Sequence, residues 1–351
     1  MRVALYQCGG EAPRNEVPLG IGYLLANCSK PGVELYFART REELRGAGMI
    51  GLSANAQGLK EAVEICETCG VPCIVGGQGT LWPGLSKYPF MHIVVGEGEL
   101  ALQAILDGNA SPFQVIRYPN VDNLDDIKPP VRGQCGKIAP IMSSRGCPFR
   151  CQYCSSQSYW HRVRYHSPER IISEVADIER DQPQATVIYF LDDLMTANKK
   201  RLRKLHALWV AQGYQLKFTV WTFVRADTFD VETASILRDL NTARVRFGAE
   251  SGCDRVLKIL GKTTTVADNA RCLEIGRAAN LNMSASFMYD VPGETPEEAQ
   301  QTKDFIRDHK VQVEGWYRFT AFPGCDMYDG TDPIKERMRF RPKPGREDFE
   351  E

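Results

Sequence analysis

Long apolar runs are missing from this sequence: none approaches the roughly 18 residues that a membrane-spanning helix needs, which argues against a membrane-embedded chain. An excess of one charge is missing too, since 43 lysines and arginines face 44 aspartates and glutamates. Without a basic footprint, nucleic acid is not the expected partner, although a local patch stays open. No internal repeat at solenoid spacing and no low-complexity tract is present. The opening "MRVALYQCGG" reads as a β-strand, too short and too polar afterwards for a signal peptide. What is present is ordinary for a globular protein, with 43% hydrophobic and 25% charged residues. A length of 351 residues suits about two domains. Cysteine is plentiful, at twelve. Without a secretory signal that count points to a reducing compartment, the cytoplasm, and to metal or redox chemistry.

The first hundred residues alternate strand and helix patterns: "RVALYQ", "VELYFA", "MIGLSA", "VPCIVGG" and "HIVVGEG" as strands, "LGIGYLLANC" and 59–69 as helices. Such alternation predicts a parallel sheet with helices on its faces, binding ligands at the carboxyl ends of its strands. The glycine exits at 76–77 and 96–98 fall at that edge. Residues 108–138 lack periodicity, and "DDIKPPVRGQCG" is the best linker candidate. The alternation then restarts with "IAPIMSS", "TVIYFLD", "KFTVWTF", "ARVRFGA", "MSASFMY" and "WYRFTAF". Ser167 and Pro168 mark the N-cap and first turn of a helix over 168–180. Six units are too few for an eightfold barrel and suit an open, partial one.

"SRGCPFRCQYCSS" (144–156) leaves the first strand of this second domain and carries Cys147, Cys151 and Cys154. Thiolate ligands select zinc, copper(I) or iron–sulfur clusters. One reading is structural zinc with His161 or His166 as fourth ligand. A disulfide would leave one thiol unpaired in a reducing cell. The remaining reading is a four-iron cluster, which normally takes four cysteines. Three ligands would leave one iron open, the mark of a catalytic site.

Cys147-x-x-x-Cys151-x-x-Cys154, with Tyr153 before the last cysteine, resembles the signature of the radical S-adenosylmethionine (SAM) superfamily. The resemblance implies a [4Fe–4S] cluster whose open iron chelates SAM, and reductive cleavage to a 5′-deoxyadenosyl radical. It also implies an electron donor such as flavodoxin or ferredoxin. "YHSPERIISEV", "FLDD", "FVRAD", "FGAESGCDRVLKILGK", "SFMYDVPGET" and "AFPGCDMYD" are similar to successive segments of that family. By that likeness Phe149, Tyr153, Asp192, Asp193, Arg225, Glu250 and Ser251 are candidate cofactor-binding residues. Four of them have a bland alternative: Asp192 and Asp193 as helix caps, Arg225 in a surface ion pair with Asp227, Glu250 as a buried partner of an arginine. Two departures stand out, Asp290 where relatives often have glycine and Cys325 where they have threonine.

A second cluster, "CETCGVPC", holds Cys66, Cys69 and Cys73. It is read as structural, because free cysteine packs as a small hydrophobe and Gly70 ends the helix that carries the first two. The first domain resembles the cobalamin-binding domain that precedes the barrel in many radical SAM enzymes, through "PLGIGYLLA", "IGLSA", "VGGQGT" and "VVGEGE". Its Asp-x-His-x-x-Gly motif is absent, and His92 is the sole histidine among the first 110 residues. If cobalamin binds, Ser53, Asn55, Gly76, Gly77 and Glu97 are the expected contacts, since small residues at strand ends admit a large ligand.

The expected organisation is α/β: a Rossmann-like, cobalamin-binding-like domain (1–110), a linker (111–138), a partial (β/α)6 radical SAM barrel (139–325) and a tail (326–351). The basic tail "KERMRFRPKPGR" reads as a solvated terminus, with a contact to an acidic substrate as the alternative. The expected function is a radical SAM enzyme acting on a small molecule or peptide, using cobalamin and possessing methyltransferase activity on an unactivated carbon. The alternatives are a cobalamin-independent radical SAM enzyme performing rearrangement or ring formation, and a zinc-stabilised binding module.

Overall fold

The computed structural model describes residues 1–10 and 16–336. They form two compact units between which the chain passes several times. The first unit takes Met1–Gly136, Ser155–Arg164 and the described residues from Phe322 onward, and the second takes Lys137–Cys154 and Tyr165–Ala321.

The first unit is built on six parallel strands, β1 (Arg2–Cys8), β2 (Glu34–Ala38), β3 (Met49–Ala54), β4 (Cys73–Gly76), β5 (His92–Val94) and β6 (Gln114–Ile116), ordered β2-β1-β3-β4-β5-β6. Its helices are α1 (Leu19–Asn27), α2 (Leu59–Thr68), α3 (Glu99–Asp107) and the short α4 (Ser156–Trp160). Strands buried on both faces read as continuous apolar runs, and β1 shows why. Ala4, Tyr6 and Cys8 enter one core layer with Leu59, Ala62 and Val63 of α2. Val3 and Leu5 enter the other with Ile21 of α1 and Leu102 and Ile105 of α3. The strand order reverses direction between β1 and β3, and open α/β sheets bind ligands at the carboxyl end of such a switch point.

The expected linker and tail need correction. Residues 114–116 of the 111–138 stretch form β6, paired to β5 through His92↔Gln114 and Val94↔Ile116. Three residues are too few for alternation to show in the sequence. Beyond Asp326, Tyr328 and Ile334 pack on the first unit's core, so this part of the expected tail belongs to that unit. Most of the basic stretch, from 337 on, lies outside the described residues.

The second unit begins with β7 (Ile138–Ile141), and two-residue strands β8 (Ser144–Arg145) and β9 (Arg164–Tyr165) flank the cysteine loop. There follow α5 (Pro168–Asp181), β10 (Val187–Phe190), α6 (Lys199–Ala211), β11 (Thr219–Val224), α7 (Val231–Asp239), β12 (Thr242–Glu250), α8 (Asp254–Ile259), α9 (Val266–Ala278), β13 (Met283–Tyr289), α10 (Pro296–Asp308) and β14 (Val313–Arg318). Six of these strands make a parallel sheet in chain order, β7-β10-β11-β12-β13-β14. The last strand lies earlier than "WYRFTAF" suggests, because pairing with β13 runs from Ala285↔Val313 to Tyr289↔Arg318. Ser167 caps α5 as expected, accepting from the Arg170 N–H.

Asp230 caps α7 by accepting from the Thr233 N–H. Burial opposes its ionisation, but Lys199 and the Thr233 amide and hydroxyl outweigh that and hold its pKa at about 2 rather than 3.8. A depressed carboxylate stabilises the fold above its unfolded pKa and loses that contribution as pH falls toward the folded value. Asp230→Ala is expected to cost about 1–2 kcal/mol at pH 7. The wild-type-minus-variant difference in urea unfolding should shrink between about pH 4 and pH 2.

Candidate active site

The cysteine loop starts at the carboxyl side of β7, where Gly146 turns the chain at φ +91°. Its own hydrogen bonds then shape it. The Cys154 N–H donates to the Cys151 carbonyl at 3.1 Å, and the Gln152 N–H donates to the Leu260 carbonyl after α8 at 2.9 Å. Gly261, at φ +62°, permits that approach, since a Cβ there would lie 2.5 Å from Gln152 Cγ. Cys147 and Cys151 are half-buried and Cys154 is exposed; none of the three is in a disulfide. Burial raises the Cys147 thiol above its ordinary value, while the Phe149 N–H pulls against that.

Arg225 leaves the end of β11 and turns onto this loop. Its Nη1 donates to Cys151 Sγ at 3.4 Å, Nε to Asp227 at 2.8 Å and Nη2 to Thr263 Oγ1 at 2.8 Å. The guanidinium lies 3.9 Å over the Phe149 ring. Burial works against its charge, but Cys151 and Asp227 raise its pKa. Arg225–Asp227 is therefore a largely buried pair, not a surface one, with side chains 8% and 20% exposed.

Glu250 closes β12 at φ +64°, beyond a register shift in the pairing with β13. Its Oε1 accepts from Tyr153 Oη and from Lys262 Nζ, each at 2.9 Å. Lys262 also donates to the Gly248 carbonyl at 2.5 Å. The buried partner of Glu250 is thus a lysine rather than an arginine. Tyr153 has its pKa raised well above the ordinary phenol by burial and by Glu250.

The two aspartates after β10 part company. Asp192 is buried and accepts from the Ser143 N–H and hydroxyl and from the Ser144 hydroxyl. Burial raises its pKa against the pull of Arg201 and these donors. Arg201 in turn donates to the Ser143 and His166 carbonyls. Asp192 is committed to holding strand ends together, whereas Asp193 is exposed and its charge raises the Cys147 thiol. Neither caps α6, which is capped by Asn198. Ser251 is fully buried, bonded to Thr302 at 3.0 Å and accepting from the Cys253 N–H, a role inside the turn.

In the first unit, Ser53 of β3 faces Gly76 of β4 in register. A Cβ on Gly76 would meet nothing nearer than the Val94 carbonyl at 4.0 Å, whereas one on Gly77 (φ +92°) would strike the Ala54 carbonyl at 2.6 Å. Asn55 closes its own turn, accepting from the Gln57 and Gly58 N–H groups at 3.0 Å. Glu97 is buried, paired with Arg164 and accepting from the Val121 N–H at 3.0 Å. Its carboxylate is occupied within the unit. His92 is buried in β5. Among the described residues no three His, Cys, Asp or Glu side chains gather closely enough to hold a single metal ion. No described helix is long and apolar enough to cross a membrane.

The model for the radical SAM superfamily matches residues 141–306, spanning the cysteine loop, Arg225, Glu250 and Lys262. Residues 141–306 form a radical SAM domain. The chain is accordingly an enzyme whose cofactors are a [4Fe–4S] cluster and SAM. An uncharacterized methyltransferase of Pyrococcus horikoshii is 26% identical over 317 residues, covering 80% of this chain and 68% of that protein. The anaerobic magnesium-protoporphyrin IX monomethyl ester cyclase of Cereibacter sphaeroides is 25% identical over 194 residues, covering 55% of this chain and 32% of its own length. The fold is shared with TsrM of Kitasatospora setae, a radical SAM methyltransferase solved with cobalamin and a [4Fe–4S] cluster (TM-score 0.73, 16% identity, 93% of this chain and 73% of that one).

Several residues of this radical SAM site escape sequence reasoning. Lys262 stands inside the quoted "ILGK", but only the tertiary fold brings it to Glu250. Ser143, Ser144 and Arg201 carry no motif that would mark them as partners of Asp192. Asp290 does carry a signal: it sits at φ +56°, the left-handed region that favours glycine and admits aspartate better than most residues. Its carboxylate accepts from Arg318 Nε at 3.0 Å.

Proposed function

We propose that this radical SAM enzyme uses cobalamin and delivers a methyl group to an unactivated carbon, with Cys147, Cys151 and Cys154 as cluster ligands. In this reading the second sheet is an incomplete (β/α)6 barrel and the enzyme is cytoplasmic. The observation that carries it is the TsrM-like fold, which extends over 93% of the chain and so through the first unit as well as the radical SAM domain.

The residues fit the cluster. Three cysteine thiols on one glycine-started loop form a soft donor set. A [4Fe–4S] cluster, which seats its cysteines on separate irons, does not ask them to converge on a single ion. Arg225 brings a guanidinium to within 3.4 Å of Cys151 Sγ. When bound, the cluster and SAM supply the radical chemistry and a methyl-carrying cobalamin the methyl group. Asp193, near Cys147 and exposed, offers a carboxylate to a cationic amino group, while Arg225 is the cation suited to a carboxylate. Phe149, Tyr153 and the Glu250–Lys262 pair keep the surroundings of the loop rigid. Asp192 and Ser251 act behind them as positioning residues. For cobalamin, the fit rests on Ser53 and Gly76, neighbours at the sheet's carboxyl edge where Gly76 leaves open space, with Asn55 and Gly77 shaping the adjoining turns. Glu97 supports that edge through Arg164.

Anaerobic reconstitution tests the reading. Expected are a brown protein with about four irons per chain, 5′-deoxyadenosine from SAM plus reductant, and a cobalamin absorption band that survives gel filtration. Radical activity without a retained cobalamin band would favour cobalamin-independent ring formation, the reading supported by the likeness to the cyclases. A colourless protein with one zinc would overturn both.

A further inference from the structure

The second sheet has two unlike faces. Phe190 and Phe287 lie on the helix-covered face, against Trp209 of α6 and Phe305 of α10. Side chains alternate along a strand, so Tyr189, Trp221 and Phe223 belong to the other face, where they are half-buried. Two arginines of β12 lie among them. The Arg246 guanidinium lies 5.0 Å from the Tyr189 ring centroid and 4.5 Å from that of Phe223, and Arg244 lies 5.3 Å from that of Trp221.

One carboxylate serves both cations. Glu314 of β14 accepts from Arg244 Nη2 at 2.8 and 2.6 Å and from Ser284 Oγ at 3.1 Å. Arg246 reaches it only through Nη1, at 3.4 Å. The Arg246 Nε is buried without a hydrogen-bond partner, and the side chain as a whole is 14% exposed. A guanidinium has five donors in a fixed fork suited to a carboxylate or phosphate. Leaving such a group desolvated and half-paired is unfavourable, and the aromatic rings compensate only in part. Arg246 also stands four residues before Glu250, about 13 Å down the same strand from the site's edge.

We propose that Arg246, with Arg244 beside it, seats an oxyanionic group of the substrate, a carboxylate or a phosphate, on the aromatic face of the second sheet. This rests on the reading that the chemistry occurs at that sheet's carboxyl edge. Binding is measured without turnover, so its failure is distinct from failure of the radical chemistry.

The test is anaerobic calorimetric titration of the cluster-loaded protein with benzoate, inorganic phosphate and neutral benzamide, in saturating S-adenosylhomocysteine to fill the strand-end sites. Benzoate or phosphate is expected to bind saturably at one site per chain, with benzamide at least about tenfold weaker, as loss of a charge-assisted pair predicts. The stronger of the two anions identifies the oxyanion. Arg246→Met should weaken that anion about tenfold or more, whereas Glu314→Gln, which removes the competing carboxylate, should tighten it severalfold. Opposite shifts in the two variants cannot come from a common loss of folding. Absence of saturable anion binding, equal binding of benzamide, or shifts in the same direction would overturn the proposal.

Discussion

Cys151→Ala protein should emerge from anaerobic reconstitution without its brown colour and without forming 5′-deoxyadenosine, while Cys69→Ala retains both. The contrast follows from where the two cysteine clusters sit. Cys151 lies on a loop at the carboxyl side of β7, held by the Gln152–Leu260 bond and touched by Arg225. A cluster with three protein ligands cannot spare one, so loss of iron should be near complete. Cys66, Cys69 and Cys73 instead lie where α2 ends and β4 begins, Cys73 in the core of the first unit and the other two packed against it. Cys69 Sγ lies 3.3 Å from Cys73 Sγ and 3.4 Å from the Val71 carbonyl oxygen. Hydrogen bonding from Cys73 lowers the Cys66 thiol and correspondingly raises that of Cys73. These thiols satisfy one another within a packed core, and removing one sulfur should cost only packing. Iron analysis and the brown colour of the reconstituted protein read the result; equal iron loss in both variants would refute the assignment.

Lys262→Met should destabilise the protein by about 3–5 kcal/mol, the usual consequence of removing one member of a buried ion pair. Lys262 and Glu250 side chains are 5% and 10% exposed, so the carboxylate left behind has little access to water. It would keep only the Tyr153 hydroxyl among its side-chain donors. Because Tyr153 adjoins Cys154, the damage should also reach the cysteine loop and lower cluster retention. The double variant Lys262→Met/Glu250→Gln should recover much of the loss, since it no longer buries a charge. Urea unfolding midpoints of the wild type, Lys262→Met, Glu250→Gln and the double variant check this, and a loss below about 1 kcal/mol for Lys262→Met would place the pair among weakly coupled surface bridges.

The local devices were legible in the sequence. Apolar runs marked most strands of both sheets, Ser167–Pro168 marked the start of α5, and the spacing of Cys147, Cys151 and Cys154 marked the loop proposed to hold the cluster. Each of these depends on neighbours within a few residues. The fates of Asp192 and Asp193 were not legible, because adjacent carboxylates differ only in the direction each takes on leaving β10. One turns in to the serines of 143–144, and the other stays in solvent. Glu97 shows the same limit: a strand-end glutamate suggests a ligand contact until Arg164, 67 residues away, occupies it.

By itself the sequence determined an α/β chain with two parallel sheets, a three-thiol loop at a strand end and, through its motifs, radical SAM chemistry. Only the tertiary structure decided that residues 155–164 and the segment from Phe322 belong with the first unit, that Lys262 is the partner of Glu250, and that Arg246 is left half-paired on an aromatic face. The division has a physical cause. Periodicity and spacing report interactions along the chain, whereas the pairing of buried charges is settled by which distant strands and turns share one desolvated space.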